Sequence, residues 1–187
     1  ILNLRDNQVR YLDKAHGLAT DTLTELAKDR VNRIWIGSFQ GEVHVADVER
    51  GSIKKFSEAQ GFQKRFVGSF LEDFSGNMWV GTDNGIKILD RRLGAYKTLE
   101  ESGGLDGTNN SQLIEDALHQ VWIGSNKGLN MIYKKGDAIR RVGNFAISTQ
   151  MEDTRGRIWI GTLDRGIQIL DTATGLAKLY TRKQGLS

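Results

Sequence analysis

Apolar and polar positions follow a pattern that returns four times along the chain. Each copy has a tryptophan between two apolar residues, followed by glycine and then serine or threonine. Successive tryptophans are 44, 43 and 37 residues apart. An aspartate precedes each tryptophan by six residues, and a second glycine follows it by six or seven. Four copies in step indicate a structural repeat of about 40 residues. The tryptophans are Trp35, Trp79, Trp122 and Trp159, the aspartates Asp29, Asp73, Asp116 and Asp153, and the second glycines Gly41, Gly85, Gly128 and Gly166.

Each copy predicts four short strands separated by turns. In the second copy the first strand ends at Asp73, the second carries Trp79, the third follows Gly85 and the fourth runs from Ala95 to Leu99. A residue type that tolerates positive φ stands three residues after each aspartate. These residues are Asn32, Gly76, His119 and Gly156. We therefore expect one turn conformation to be used four times.

The strand that carries the tryptophan is apolar on both sides, as in Ile34-Trp35-Ile36, so we expect it to be covered on both faces. Separate four-stranded antiparallel sheets, packed face to face around an axis, satisfy this requirement. The period of about 40 residues is that of a β-propeller blade. No copy contains the 10–12 residues of 3.6-residue periodicity that a helix needs. The sequence therefore predicts an all-β propeller.

The tryptophans are expected in the core between blades, with Trp35 less tightly held because it lies next to the incomplete blade. Small residues stand five positions before each aspartate. Side chains near the central axis of a propeller are crowded, so we expect the first strands to lie next to that axis. The small residues are Thr24, Gly68, Ser111 and Ser148.

One phrase within the pattern carries a family resemblance. The segment from Asp153 to Asp171 reads Asp-x-x-Gly-x-Ile-Trp-Ile-Gly-Thr-x-x-x-Gly-Ile-x-x-Leu-Asp, and Gly-Leu pairs such as Gly17-Leu18 lie between the copies. This phrase resembles the two-component regulator propeller repeat, and the resemblance covers nearly the whole chain. The third copy departs from the family pattern, because His119 replaces the usual glycine and Tyr133 replaces the usual aspartate.

The resemblance implies a part of a larger ring, since the sensors of this family resemble seven-bladed propellers. We expect about 4.5 blades in one propeller segment, 1–187. Its parts are a half blade (1–15), four blades (16–59, 60–101, 102–142 and 143–182) and the start of another (183–187). Incomplete arcs leave apolar faces and strand edges uncovered. We therefore expect self-association or pairing with blades outside this sequence.

The family forms the sensor regions of bacterial membrane-bound histidine kinases, hybrid two-component sensors and some diguanylate cyclases. The resemblance therefore implies a non-catalytic, periplasmic ligand-binding segment of an inner-membrane signalling protein. Its expected ligand is a polar small molecule or an oligosaccharide. Two alternatives stay open, which are a propeller enzyme that acts on polysaccharide, as a lyase or glycosidase, and a protein-interaction scaffold.

Strand direction alternates within a blade, so the turns sort onto two faces. The second-to-third turns and the connections between blades share one face, which in propellers is the usual ligand face. We therefore predict a ligand site among the polar and aromatic side chains there. The candidates are Phe39, Arg65, Asn84, Asn110, Asn126, Lys127, Phe145 and Arg165. The competing interpretation is that these are ordinary solvated turn residues.

Charge and composition exclude several other functions. The net charge of +3 is too small to require nucleic acid, and basic pairs such as Lys54-Lys55, Arg140-Arg141 and Arg182-Lys183 are expected on outer strands, where they prevent edge pairing. The chain has no cysteine, and its three histidines fall at different blade positions, so we expect no metal site and no cofactor. No apolar run approaches the roughly 18 residues of a membrane span, so we expect no membrane contact.

The four repeat aspartates invite a catalytic interpretation, because two carboxylates at a suitable separation can hydrolyse a glycosidic bond. They stand at the same turn of every copy, however, and aspartate is a common turn residue that binds nearby amides. We therefore expect a structural role for them and no catalytic residues.

Overall fold

A computed structural model of the chain describes residues 2–3, 8–9, 11–56, 62, 66–90, 94–100, 103–105, 110–133 and 138–186. Residues 2, 3, 8, 9, 110 and 111 are described by their backbone alone. The described regular structure is almost entirely β-strand, which confirms the predicted all-β class. Short 3-10 helices occupy Lys14–His16 and Arg182–Gln184.

Two strands form a small sheet, and sixteen further strands form four antiparallel sheets of four strands each. Within each large sheet, strands that follow one another in sequence lie side by side. The small sheet contains β1 (Leu2–Asn3) and β2 (Gln8–Val9). The first large sheet contains β3 (Leu23–Lys28), β4 (Ile34–Ser38), β5 (Val43–Asp47) and β6 (Ser52–Phe56). The second contains β7 (Val67–Glu72), β8 (Met78–Thr82), β9 (Gly85–Leu89) and β10 (Tyr96–Leu99). The third contains β11 (Asn110–Glu115), β12 (Val121–Ser125), β13 (Leu129–Ile132) and β14 (Ile139–Gly143). The fourth contains β15 (Ile147–Glu152), β16 (Arg157–Thr162), β17 (Ile167–Asp171) and β18 (Ala177–Tyr180).

The turn between the first and second strands is the same in every sheet. In the second sheet, Asp73 Oδ2 accepts a hydrogen bond of 2.9 Å from the Trp79 indole, and Asp73 Oδ1 accepts one of 2.8 Å from the amide of Asn77. The indole bonds of the other sheets measure 3.1, 2.8 and 2.8 Å. The expected positive φ values occur at Asn32 (62°), Gly76 (83°), His119 (61°) and Gly156 (72°). The predicted fourfold turn is therefore confirmed, and its aspartate also holds the tryptophan.

A second side chain shares each aspartate. The residue four positions after the aspartate donates to the same Oδ2, as Arg33 Nε does to Asp29 (2.8 Å) and Arg157 Nε to Asp153 (2.7 Å). Burial alone would raise the pKa of Asp29, but hydrogen bonds from Arg33 and from the Trp35 indole outweigh it and lower that pKa. The Arg157 guanidinium, and after it the indole of the following tryptophan, holds the pKa of Asp153 well below its usual range. Asp29 and Asp153 are therefore ionised at neutral pH.

The chain divides into two compact units, Ile1–Val67 and Gly68–Ser187. In the first unit, Trp35 stacks on Phe56 with ring centroids 5.4 Å apart, and Phe56 meets the buried Phe62 edge-on. In the second unit, β11 lies against both β8 and β15, so the first strands approach the neighbouring sheets.

In the second unit, Trp79 and Trp122 each pack onto the sheet that follows in sequence. Trp79 shares a buried cluster with Leu113 and Ile123 of the third sheet. Trp122 shares one with Ile147 and Ile160 of the fourth sheet. In the second unit, core packing therefore runs forward along the chain, from the second sheet to the third and from the third to the fourth.

This direction corrects the expectation about Trp35. Trp35 is 2% exposed, whereas Trp159 is the partly exposed tryptophan. The reason is that Trp159 lies on the last sheet of the described residues and has no following sheet to cover it. Trp35 is covered within its own unit, where it stacks on Phe56.

Glutamates add a polar link between neighbouring sheets of the second unit. Glu115, which immediately precedes Asp116, accepts a 2.7 Å hydrogen bond from the amide of Phe74 in the preceding sheet. Glu152 accepts one of 3.0 Å from the amide of Ala117. Each glutamate therefore fixes the first turn of the sheet before it.

The expectation that all three basic pairs lie on outer strands is wrong for one of them. Lys54-Lys55 and Arg140-Arg141 lie on β6 and β14, but Arg182-Lys183 lies in the last 3-10 helix. That helix forms because the Thr181 hydroxyl accepts from the amide of Lys183, and Gln184 completes a capping box.

We predict that Trp79→Ala lowers the free energy of unfolding by about 3–5 kcal/mol, the usual range for a buried aromatic residue. Trp159→Ala is the matched control, because it removes the same side chain and the same aspartate bond from a partly exposed position. Trp159→Ala should lower the free energy of unfolding by less than about 2 kcal/mol, because less of this side chain is buried. Urea denaturation followed by circular dichroism measures both, and equal losses would contradict the forward packing of the tryptophans.

Candidate functional site

The turns between second and third strands are closed by a side-chain hydroxyl. Thr82 Oγ1 donates to the carbonyl of Gly85 at 2.8 Å and accepts from the amide of Asn84 at 3.2 Å. Ser125 and Thr162 make the equivalent bonds to Gly128 and Gly166. The hydroxyl therefore fixes the turn backbone. The sequence analysis did not assign this role, although a serine or threonine follows the Trp-x-Gly of every copy.

In the second, third and fourth copies, a close backbone approach requires the second glycine. A Cβ built on Gly85 would lie 2.3 Å from the carbonyl oxygen of Leu99 on β10. The same short distance would arise between Gly128 and the carbonyl of Gly143, and between Gly166 and that of Tyr180. The fourth strand thus passes directly over this glycine, so the turn and the outer strand are held together.

Four of the predicted ligand residues lie at one edge of the second unit. Asn84, Asn126, Lys127 and Arg165 all follow the second strand of their sheet, and the strands are antiparallel in every sheet. Asn84 is half-buried, and the other three are exposed. We call these four residues the turn edge.

The remaining predicted residues have other surroundings. Phe145, between β14 and β15, is half-buried and packs against the cluster around Trp122. Phe39 is exposed in the first unit and meets Phe66 edge-on at 5.9 Å. Asn110 begins β11 opposite Ser125. Arg65 lies outside the described residues. The structure therefore groups four of the eight predicted residues.

Grooves between neighbouring sheets of the second unit were not predicted. One groove of about 360 Å³ lies between the second and third sheets. Its rim includes His119, whose ring stacks on Phe74 with centroids 3.9 Å apart and whose Nδ1 lies 3.4 Å from Glu115 Oε1.

A second groove, of about 260 Å³, lies between the third and fourth sheets. Trp122, Met131, Ile160 and Leu170 form its apolar part. The sequence pattern could not locate either groove, because both depend on strand register.

A histidine is buried in the first unit. His44, on β5, is 1% exposed, and its Nε2 accepts a hydrogen bond of 3.2 Å from the amide of Ala19. Burial lowers the pKa of His44 below its ordinary value of 6.5, so the ring is neutral near pH 7. Among the described residues no three His, Asp or Glu side chains converge as a metal ion would require. Within that same part of the chain we find no helix with the length and hydropathy of a membrane span.

Residues 61–84 match the family model of the two component regulator propeller. This segment matches one two-component regulator propeller repeat. The matched segment includes the aspartate, the tryptophan and the glycine of the second copy, and the same turn recurs in the other three sheets. No curated protein sequence matches the chain.

Solved structures that contain similar blades include two from Bacteroides thetaiotaomicron. The first is the extracellular domain of BT3049, described as a hybrid two-component system, with a TM-score of 0.73 and 22% identity over 85% of this chain. The second is the extracellular domain of BT4673, described in the same way, with a TM-score of 0.74 and 20% identity over 90% of this chain. The chain spans 23% and 24% of those two chains.

A virginiamycin B lyase variant from Staphylococcus aureus is also similar, with a TM-score of 0.68 and 14% identity. The alignment covers 88% of this chain and 57% of the lyase chain. At these identities the likeness identifies the fold, which is that of β-propeller blades. The predicted propeller of four-stranded blades is thereby confirmed, with four complete blades present.

We predict that acid weakens the fold through His44. Since the folded state lowers its pKa, the contribution of neutral His44 to stability is complete above about pH 6.5 and is lost as the pH falls towards the lowered value. His44→Gln keeps a polar group near the Ala19 amide but does not titrate. We expect the free energy of unfolding to fall less between pH 7 and pH 5 in this variant than in the parent chain.

The matched control is His16→Gln, which removes an exposed histidine. It should leave the pH dependence attributed to His44 in place. Urea titrations at several pH values measure the slopes, and parallel slopes for His44→Gln and the parent chain would show that the interpretation is wrong.

Proposed function

We propose that this chain is part of the extracytoplasmic sensor propeller of a bacterial two-component-type signalling protein. The regulator propeller repeat supports this proposal, and so do the blades it shares with two domains described as extracellular parts of hybrid two-component systems. In the proposed protein the chain lies in the periplasm and belongs to a membrane-anchored whole. A kinase or cyclase domain elsewhere provides the output.

The observation that carries the binding role is the construction of the turn edge. Three turns of the second unit have backbones fixed by Thr82, Ser125 and Thr162, and each presents polar side chains on the same side. Fixing the backbone before binding reduces the entropy lost on association. Amide and ammonium groups bind the hydroxyl groups of a polar ligand. We therefore propose that the turn edge binds an oligosaccharide or a similar polar ligand.

We further propose that this segment is not catalytic. A glycosidase mechanism needs two carboxyl groups on either side of the scissile bond. The four repeat aspartates are already engaged, since each accepts from an indole and from turn amides, as Asp116 does from Trp122 and Gln120. The likeness to a virginiamycin B lyase concerns the fold and does not carry its activity to this chain.

Ligand contact on several sheets offers a route for the signal. Asn84, Lys127 and Arg165 lie on three successive sheets, so one ligand that touches them would bias how those sheets pack. The hydrogen bonds to Glu115 and Glu152 link the same sheets at their opposite ends. The proposed signal is therefore a change in packing between sheets rather than an unfolding step.

Calorimetric titration of the chain with maltohexaose, xylohexaose and cellohexaose tests the proposal. We expect at least one of these neutral oligosaccharides to bind, and Lys127→Ala or Asn126→Ala to weaken that binding about tenfold, the effect of losing one hydrogen bond to ligand. The charge-matched control is Arg155→Ala, an exposed residue of a turn at the opposite ends of the strands. Absence of binding by all three probes, or equal weakening by the control, would contradict the turn edge as the site.

A further inference from the structure

Strand register places a lysine or arginine at the equivalent position of each four-stranded sheet. Each tryptophan pairs with a residue of the third strand, and that residue pairs with a lysine or arginine of the fourth strand. The four rows are Trp35–Val45–Lys54, Trp79–Ile88–Lys97, Trp122–Met131–Arg140 and Trp159–Ile169–Lys178. Each cation therefore lies on the face that carries the tryptophan, at the outer end of the row.

The third sheet differs from the others at the end of its third strand. Two positions after the third-strand residue of the row, the other sheets carry Asp47, Asp90 and Asp171. The third sheet carries Tyr133 at this position. Asp171 closes its turn by accepting from the amides of Ala173 and Thr174. The third sheet has thus lost a carboxylate at this place and gained a phenol.

This exchange leaves Arg140 beside a neutral partner. Arg140 Nη1 donates a hydrogen bond of 3.0 Å to the Tyr133 hydroxyl, and both residues line the 260 Å³ groove between the third and fourth sheets. No carboxylate of the described residues lies within ion-pair distance of Arg140, in contrast to Arg157, which pairs with Asp153. The guanidinium has five N–H donors in a fixed planar arrangement, so several can bind an incoming anion.

The opposite wall of the groove carries an uncharged polar side chain. Gln168 pairs with Ile160 and shares the face of the fourth sheet that packs on the third, so its amide lines the groove. The amide oxygen can accept a hydrogen bond from a ligand hydroxyl group, and the amide nitrogen can donate one. Between the two walls, Met131 and Leu170 offer an apolar surface.

We propose that this groove binds a hydroxy acid of about one sugar unit, with its carboxylate on Arg140 and a hydroxyl group on Gln168. A hexuronic acid has this distribution of groups, since its carboxylate lies at one end of a ring with C–H faces and several hydroxyls. The volume of about 260 Å³ lies near the lower limit for small-molecule pockets, which suits a single sugar unit. The site is distinct from the turn edge and does not depend on the function proposed for it.

Calorimetric titration of the chain with D-galacturonate and with D-galactose tests this site. We expect galacturonate to bind, and galactose to bind at least tenfold more weakly, because it lacks the carboxylate. Arg140→Gln should weaken galacturonate binding about 10- to 100-fold, the range for losing charge-assisted hydrogen bonds. Lys178→Gln is the matched control, since it removes the cation at the same row position of the fourth sheet. Binding to this control should be unchanged.

Tyr133→Asp provides a second and independent variant. It installs the residue that the other three sheets carry at this place, so the fold should be retained, as circular dichroism can verify. The new carboxylate is expected to pair with Arg140 and to lower galacturonate affinity at least tenfold. Unchanged affinity in both Arg140→Gln and Tyr133→Asp would overturn the assignment.

Two further titrations separate this site from other sources of binding. Lys127→Ala, on the turn edge, should leave galacturonate affinity unchanged, and a loss there would place the acid at the turn edge instead. Sodium acetate and sodium sulfate should compete only weakly with galacturonate. Competition at equal concentration would show a general anion site and would overturn recognition of the hydroxyl groups.

Discussion

A buried indole N–H needs a hydrogen-bond acceptor, and in all four sheets that acceptor is the aspartate six residues earlier. The same carboxylate binds the amide at the end of the turn and a side chain four residues ahead. One carboxyl group therefore fixes the turn between the first two strands, accepts from the tryptophan indole and sets the register of the row that begins there. Since Trp79 and Trp122 then pack on the next sheet, the local turn also determines how the blades of the second unit join.

The two departures of the third copy both acquire contacts in the folded chain. His119 occupies the turn at a φ of 61°, where glycine costs less, and its ring stacks on Phe74 of the preceding sheet. Tyr133 takes the place of a turn aspartate and binds Arg140. Each exchange therefore replaces a local turn element with a contact at a groove between sheets. A groove can thus acquire its own chemistry while the repeat that builds the sheets is kept.

Shared blades do not imply a shared activity. Domains described as parts of hybrid two-component systems and a lyase variant have the same fold as this chain at identities of 22% or less. The residues common to every copy are engaged in turns and core packing, so they serve the fold. Chemistry that is particular to this chain must lie in the side chains that vary between copies, which occur at the turn edge and in the grooves.

The sequence by itself determined the features that repeat along the chain. The period, the four strands of each copy and the positive φ at Asn32 and His119 follow from residue types at fixed spacing, because turns and strand alternation are local properties. The tertiary structure decided which way each tryptophan faces, and so which of Trp35 and Trp159 is covered. It also decided that Phe145 joins the core and that Arg140 meets Tyr133 across neighbouring strands. These outcomes depend on strand register and on the packing of one sheet against the next. Such contacts join residues that are distant in sequence, and the spacing within a single copy does not specify them.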